Sequence, residues 1–251
     1  MGDFFKKAFY KIKILIRPHG FSRIKSGVGK GLLWSHQVSD LRYLTGSYEP
    51  ELSDWLKQKI VSGKSFVDIG ANAGYFSLLA NHLSVNTQQR IVAIEPIQAN
   101  IDLINKHLNL NGAIRVELMA IAVADENRTV EFSTSSNLSA NTYSAESSVH
   151  KNNAKISIQA KNLDAICQEL NMVNFVVKID VEGAELDVLK GAVNVLSLNK
   201  PELILATHEC HVKGVEQQCL DFLKTKSYIC ELIKEEKFVQ GQQDYLCRYQ
   251  A

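Results

Sequence analysis

Short apolar runs that alternate with stretches of helical spacing constrain the fold of this chain more than any other feature. Ser65-Phe66-Val67-Asp68-Ile69 reads as a buried strand and leads directly into a glycine-rich turn. Phe76, Leu79, Ala80 and Leu83 then recur at helical intervals, and Arg90 to Ile94 returns to strand and stops at Glu95-Pro96. Ile97, Ile101, Ile104 and Leu108 form the next helical face, and a third strand is expected from Ile114 to Val123. Strands separated by helices need crossover connections, so the expected fold is α/β with a parallel sheet and right-handed crossovers. The rhythm resumes at Phe175 to Asp180, with a helix on Leu186, Leu189, Val193 and Leu196 and a strand at Leu203 to Leu205. The last third predicts a helix on Val215, Cys219, Phe222 and Leu223, then strands near Tyr228 to Ile233 and Tyr245 to Tyr249.

A chain of 251 residues, 45% hydrophobic and 22% charged, has the material for one sizeable core, which excludes a disordered or collagen-like protein. The 28 basic and 27 acidic side chains nearly cancel, against a nucleic-acid partner. Eight of the basic residues fall within residues 1–30, opposed only by Asp3, so the first segment is strongly positive and the remainder acidic. Phe4, Phe5, Phe9, Ile12 and Ile16, interleaved with Lys6, Lys7, Lys11, Lys13 and Arg17, predict a basic amphipathic helix ending before Pro18. Residues 1–17 therefore suit an anionic membrane surface or a partner subunit. The expected division is a basic extension over 1–50 and one domain over 51–251.

No apolar run near the start is long enough for a signal core or a membrane span, and the five cysteines form no CxxC pair. These readings favour a reduced, cytoplasmic chain. Gly27-Val28-Gly29-Lys30-Gly31 lacks the spacing and the Ser/Thr of a phosphate loop. Between Ser133 and Lys155, 13 of 23 residues are Ser, Thr or Asn, which marks a loop, either a flap over an acceptor or a surface excursion. A strand over Ile156 to Ala160 follows it.

Open parallel sheets bind ligands at the carboxyl ends of their strands, which directs attention to Asp68-Ile69-Gly70-Ala71-Asn72-Ala73-Gly74. Gly70 permits a tight exit from the strand, and Gly74 lets backbone and ligand approach closely where the helix begins. Glu95 ends the next strand 21 residues after Gly74, where a carboxylate can accept hydrogen bonds from both hydroxyls of a ribose. Two ribose-bearing cofactors fit this pattern. A dinucleotide turn has glycine at its first, third and sixth positions, whereas this one carries Asn72 third and Gly74 fifth. Asp68 is also unfavourable beside a pyrophosphate and favourable beside the ammonium and sulfonium of S-adenosylmethionine. A nicotinamide-dependent oxidoreductase and a non-catalytic cofactor-binding module acting through the basic terminus are the rival readings.

With these residues the sequence resembles the FkbM-type branch of the class I S-adenosylmethionine-dependent methyltransferases. The resemblance rests on Phe66 to Ser77, on Ala93-Ile94-Glu95-Pro96 with Asn100, and on Lys178-Ile179-Asp180-Val181-Glu182-Gly183-Ala184-Glu185 with Val188-Leu189 and Gly191. Leu163-Asp164, Lys200-Pro201 and His208 extend it over residues 66–208. It implies a three-layer Rossmann-like fold, a mostly parallel seven-stranded sheet with one antiparallel strand, and methyl transfer, usually to a hydroxyl oxygen. Carried over by position, it places Asp68, Gly70, Asn72 and Gly74 around the methionine part of S-adenosylmethionine, Glu95 at its ribose with Asn100 nearby, and Met119 to Ala122, including Ala120, near the adenine. Asp180 and Glu182 would face the cleft close to the methyl. In many members a Glu stands two residues before the position of His208; here that residue is Ala206, and any role of that Glu is absent or falls to Glu209.

The resemblance implies a small hydroxylated acceptor, such as a sugar or glycolipid. Removing its proton calls for a base near neutral pKa, and His208, at a strand end on the ligand edge, is the expected general base, with Asp180 or Glu182 orienting the acceptor. His208, Cys210, His211 and Cys219 match no zinc spacing. No metal site is therefore assigned, although a divalent ion on Asp180 and Glu182 is compatible with the residues.

Overall fold

The computed structural model describes residues 19–133, 155–235 and 241–250. Two short strands, β1 (Phe21–Arg23) and β2 (Leu33–Ser35), and helix α1 (Leu41–Thr45) precede helix α2 (Pro50–Val61). The alternation then runs β3 (Ser65–Ile69), α3 (Tyr75–Leu83), β4 (Ile91–Ile94), α4 (Gln98–Asn111) and β5 (Val116–Met119). Three further strands follow, β6 (Ala122–Val123), β7 (Arg128–Ser133) and β8 (Lys155–Lys161). The chain continues through α5 (Leu163–Glu169), β9 (Phe175–Ile179), α6 (Glu185–Lys190), β10 (Leu203–His208), α7 (Val215–Thr225), β11 (Tyr228–Glu235) and β12 (Gln242–Tyr249).

Seven of these strands form one sheet in the order β11-β12-β10-β9-β3-β4-β5, in which β12 runs antiparallel to both neighbours. Successive side chains of a strand point to opposite faces, so each buried strand feeds two cores. Phe66, Ile91, Ala93, Val176 and Ile204 pack with α2, α3 and α4 on one face. Val67, Ile69, Val92, Ile94, Val177, Ile179 and Leu205 pack with α5, α6 and α7 on the other. The result is the expected three-layer Rossmann-like architecture. From β3 the chain winds outward through β4 and β5 on one side and later through β9 and β10 on the other, so strand order reverses between β3 and β9.

Several expectations need correction. The strand expected over Ile114 to Val123 is two strands: β5 leaves the main sheet after Met119, and Ala122–Val123 pairs with β8 in a separate three-stranded sheet. The helix expected through Leu196 is interrupted: α6 ends at Lys190 and is capped by Gly191, where any Cβ would run into the Ala124 carbonyl, and a π-type turn covers Val195–Asn199. Cys230 and Cys247 are opposed across the β11–β12 pair with Cα atoms 4.0 Å apart and form a disulfide, so the expectation of five reduced cysteines fails for this pair. Residues 21–49 are not an appendage: Ile24, Trp34, Tyr43 and Leu44 belong to the same core as α2 and α3.

The basic helix expected over residues 1–17 lies outside the described residues, as does most of the Ser/Thr/Asn-rich tract, whose ends join β7 to β8. Among the described residues no helix is long and apolar enough to cross a membrane.

Candidate active site

At the carboxyl ends of β3, β4 and β9 a cavity of about 560 Å³ opens beside the reversal of strand order, within the usual range for small-molecule sites. The Asp180 amide donates to the Ile69 carbonyl (3.1 Å) and draws the end of β9 against the turn that leaves β3. Gly70 sits there at φ +76°, and a Cβ would collide with the Asp180 carbonyl, so the turn accepts only glycine at this point. Gly70 and Asn72 line the cavity, whereas Gly74 faces Ile104 and serves the packing of α3 on α4.

Asp68 is 1% exposed and does not line the cavity, contrary to its expected contact with ligand. Its Oδ2 accepts hydrogen bonds from the Ser77 amide (3.1 Å) and hydroxyl (2.7 Å), which fixes the first turn of α3. Burial raises its pKa, opposed by Lys178 and Ser77. Ser77→Ala is expected to cost about 2 kcal/mol by removing a donor to a buried carboxyl group, read as a lower urea midpoint at unchanged slope.

Glu95 lies just beyond β4. Its carboxylate lines the cavity and accepts from the Asn72 amide (2.9 Å), the Ile97 amide (3.0 Å) and Asn100 Nδ2 (3.1 Å), joining the glycine turn to the start of α4. Burial pushes its pKa up to about 7 despite these donors. Asn100 also lines the cavity, and its buried Oδ1 has no hydrogen-bond partner. Ala120 is exposed and off the cavity wall, because the chain turns out of the main sheet there; Ile121, Ala122 and Val123 line the cavity instead.

Asp180 and Glu182 line the cavity just beyond β9. Lys178, 5% exposed, donates to Asp180 Oδ2 (2.8 Å) and lies over the Phe76 ring at 5.3 Å. Burial would raise the Asp180 pKa, but Lys178 and His208 hold it below the ordinary carboxylate range. Glu182 is hydrogen-bonded to His211 Nε2 (2.7 Å).

His208 does not fit the expected base. It is 1% exposed and absent from the cavity wall, with Nδ1 hydrogen-bonded to the buried Glu185 (2.7 Å). Burial would lower its pKa, but the bond to Glu185 and the charges of Glu182, Glu185 and Asp180 push it up to about 10. A ring protonated in this way has no lone pair with which to accept a proton. Glu209 accepts from the Gly214 and Glu216 amides at the start of α7, so it does not take over the role of the Glu missing at Ala206.

The spacing of sequence motifs missed the second wall of the cavity. Gln37, Asp40, Arg42, Tyr43, Tyr48 and Glu49 line it from the segment before the expected domain. The one available signal was the cluster of aromatic residues at Trp34, Tyr43 and Tyr48, whose rings stack in the structure. Lys178 and His211 also belong to the wall.

Residues 68–235 match the model of the methyltransferase FkbM domain. Among solved structures, the FkbM methyltransferase from Methylobacillus flagellatus KT is similar with a TM-score of 0.53 and 18% identity over 73% of this chain. The chain spans 43% of the length of that protein. An rRNA methylase from Streptococcus thermophilus is similar with a TM-score of 0.50 and 9% identity over 80% of this chain and 96% of the other. At these identities the likenesses speak for the fold alone. No curated protein matches the sequence.

Proposed function

The chain belongs to the FkbM methyltransferase family, and on that premise we propose that it transfers a methyl group from S-adenosylmethionine to a hydroxyl oxygen of a small polar acceptor, such as a sugar or lipid-linked sugar. The observation that carries this reading is one cavity lined both by the acceptors Glu95 and Asn100, suited to a ribose, and by the carboxylates Asp180 and Glu182. Glu95 would take the ribose hydroxyls, and the unpartnered Asn100 Oδ1 supplies a further acceptor beside it. Ile97 and Ile121 offer apolar walls for the adenine.

The fate of the turn's amides favours this cofactor over a dinucleotide. Gly70 and Ala71 donate to the Ile94 carbonyl, Asn72 to Glu95, and Gly74 to the Ala71 carbonyl. Four amides that would cradle a pyrophosphate are therefore already committed within the protein.

S-adenosylmethionine supplies, when bound, an activated methyl group on a sulfonium that leaves readily. The protein's task is to hold the acceptor oxygen about 3 Å from that methyl, in line with the bond that breaks. Asp180, kept ionised by Lys178, favours positive charge beside its stretch of the cavity wall. Glu182 takes the acceptor's hydroxyl proton, with its carboxylate oriented by His211. Tyr43 and Tyr48 close the wall and limit water.

Radiolabelled S-adenosylmethionine offered to cell extracts tests the proposal. The wild-type protein should label a small polar product whose methyl resists mild base, as an ether does, and Glu182→Gln should lower the rate about 100-fold or more. Equal labelling by the two proteins would remove Glu182 from the reaction. Binding of a nicotinamide dinucleotide but not of S-adenosylhomocysteine in calorimetry would overturn the function itself.

A further inference from the structure

Asp180, Glu182 and His208 come from the ends of two adjacent strands, and each offers a ligand atom, all within 4.8 Å of one another. His208 Nε2 lies 3.5 Å from Asp180 Oδ1 and 3.8 Å from Glu182 Oε2. Although the residue is almost fully buried, this nitrogen makes no hydrogen bond and faces the gap between the two carboxylates. We propose that these three side chains form a divalent-cation site beside the cavity, just beyond β9 and β10.

The surroundings of the trio support this more strongly than its composition. Each of the three is anchored through a further residue: His208 Nδ1 by Glu185, Asp180 Oδ2 by Lys178 and Glu182 by His211. A carboxylate on the far nitrogen of an imidazole orients the ring and aims the other nitrogen, an arrangement typical of histidines that bind metal; the incoming ion would displace the proton that the surrounding carboxylates hold on that nitrogen. Glu185 is itself placed by the Gly183 amide (2.9 Å) and is fully buried, a costly position for an acid that serves only a surface ion pair. Glu182 is held at φ +54°, a left-handed conformation unusual for a side chain of this kind. Local strain of this sort is retained where the surroundings over-determine a position.

Two carboxylate oxygens and one imidazole nitrogen suit Mn2+ better than Mg2+, which prefers oxygen alone, or structural Zn2+, which takes four nitrogen and sulfur ligands. Asp180 and Glu182 line the cavity, so the remaining coordination positions of the ion face the acceptor. A pair of adjacent hydroxyls would fill two of them, which narrows the acceptor to a vicinal diol, as on a sugar ring. This role toward the acceptor rests on the methyl-transfer reading, in which Glu182 would hold the ion through one carboxylate oxygen and take the acceptor's proton on the other; the ion site itself does not rest on it.

The test uses full-length protein stripped with EDTA and freed of chelator, titrated with MnCl2 while the paramagnetic resonance of free Mn2+ is followed. One ion per chain is expected, with affinity lowered at least tenfold by Glu182→Gln and about 10- to 100-fold by Glu185→Gln, which touches the ion only through His208. Circular dichroism checks the fold of each variant, and Glu182→Gln, on the cavity surface, decides if Glu185→Gln does not fold. Absence of uptake by the wild type at millimolar Mn2+, or uptake unchanged by Glu182→Gln, overturns the site. S-adenosylhomocysteine calorimetry on the same stripped protein separates the two proposals. Nucleoside binding without Mn2+ uptake overturns the ion site alone, and Mn2+ uptake without nucleoside binding supports the ion site while overturning the methyl transfer.

Discussion

Glu95→Gln is expected to weaken S-adenosylhomocysteine binding about 100-fold or more while leaving the fold intact. Three N–H donors converge on the two carboxylate oxygens, one on Oε2 and two on Oε1. A glutamine of the same shape must turn its NH2 toward one of these donors, and it carries no charge to strengthen the bonds from a ribose. Each charge-assisted bond is worth about 1.5–3 kcal/mol, so losing one to ligand and misplacing another reaches the stated effect. Affinities equal within a factor of three would remove Glu95 from the cofactor site.

The same carboxyl group gives the binding a pH signature. Burial raises the Glu95 pKa to about 7, so the folded protein holds a proton that the unfolded chain releases above the ordinary carboxylate range. The contribution of this group to stability is therefore greatest at low pH and falls by about 3 kcal/mol as pH rises from the ordinary carboxylate value to about 7. Ribose hydroxyls donate to the ionised form, so ligand binding near pH 6 should expel a proton. Calorimetry in two buffers of different ionisation enthalpy reads that proton directly, and Glu95→Gln should abolish it.

What could be read in the sequence followed how locally each feature is encoded. Strands β3, β4 and β9 are fully buried, so each appears as a short, mainly apolar run, broken only by Ser65, Asp68 and Lys178, and Glu95 follows directly on the end of one of them. The split of β5 from β6 was hidden because Ala122 leaves the main sheet only to pair with Ala160, 38 residues away. The Cys230–Cys247 pair depends on the register of two antiparallel strands, which spacing along the chain does not reveal. His208 was placed correctly at a strand end, but its chemistry is set by Glu185, 23 residues earlier on a helix that faces it. The wall formed by residues 37–49 escaped notice because α1 has five residues, too few to show a period. It is fixed instead by caps, with Asp40 accepting from the Arg42 amide and Gly46 ending the helix in a left-handed conformation.

That wall leads to the second large effect: Trp34→Ala should destabilise the protein by about 3–5 kcal/mol. Trp34 is completely buried, stacked on His107 at 3.8 Å and on Tyr43 at 4.8 Å, so truncation leaves a cavity bounded by rings that cannot close it. The surrounding polar links make collapse harder still. The Ser35 amide donates to His107 Nε2 (3.0 Å), so the opposite nitrogen carries the proton and donates to the Ala73 carbonyl (2.8 Å). Burial holds the His107 pKa down to about 4, which keeps this neutral tautomer at physiological pH. Strand β2 is thus tied through one imidazole to the glycine turn that lines the cavity. A residue in a peripheral extension would shift stability by no more than about 0.5 kcal/mol, so the urea midpoint separates the two placements clearly. The same variant should also bind S-adenosylhomocysteine more weakly at temperatures where it remains folded, because its turn loses the support of the His107 bond. Unchanged affinity with large destabilisation would confine residues 21–49 to the core and deny them any part in shaping the site.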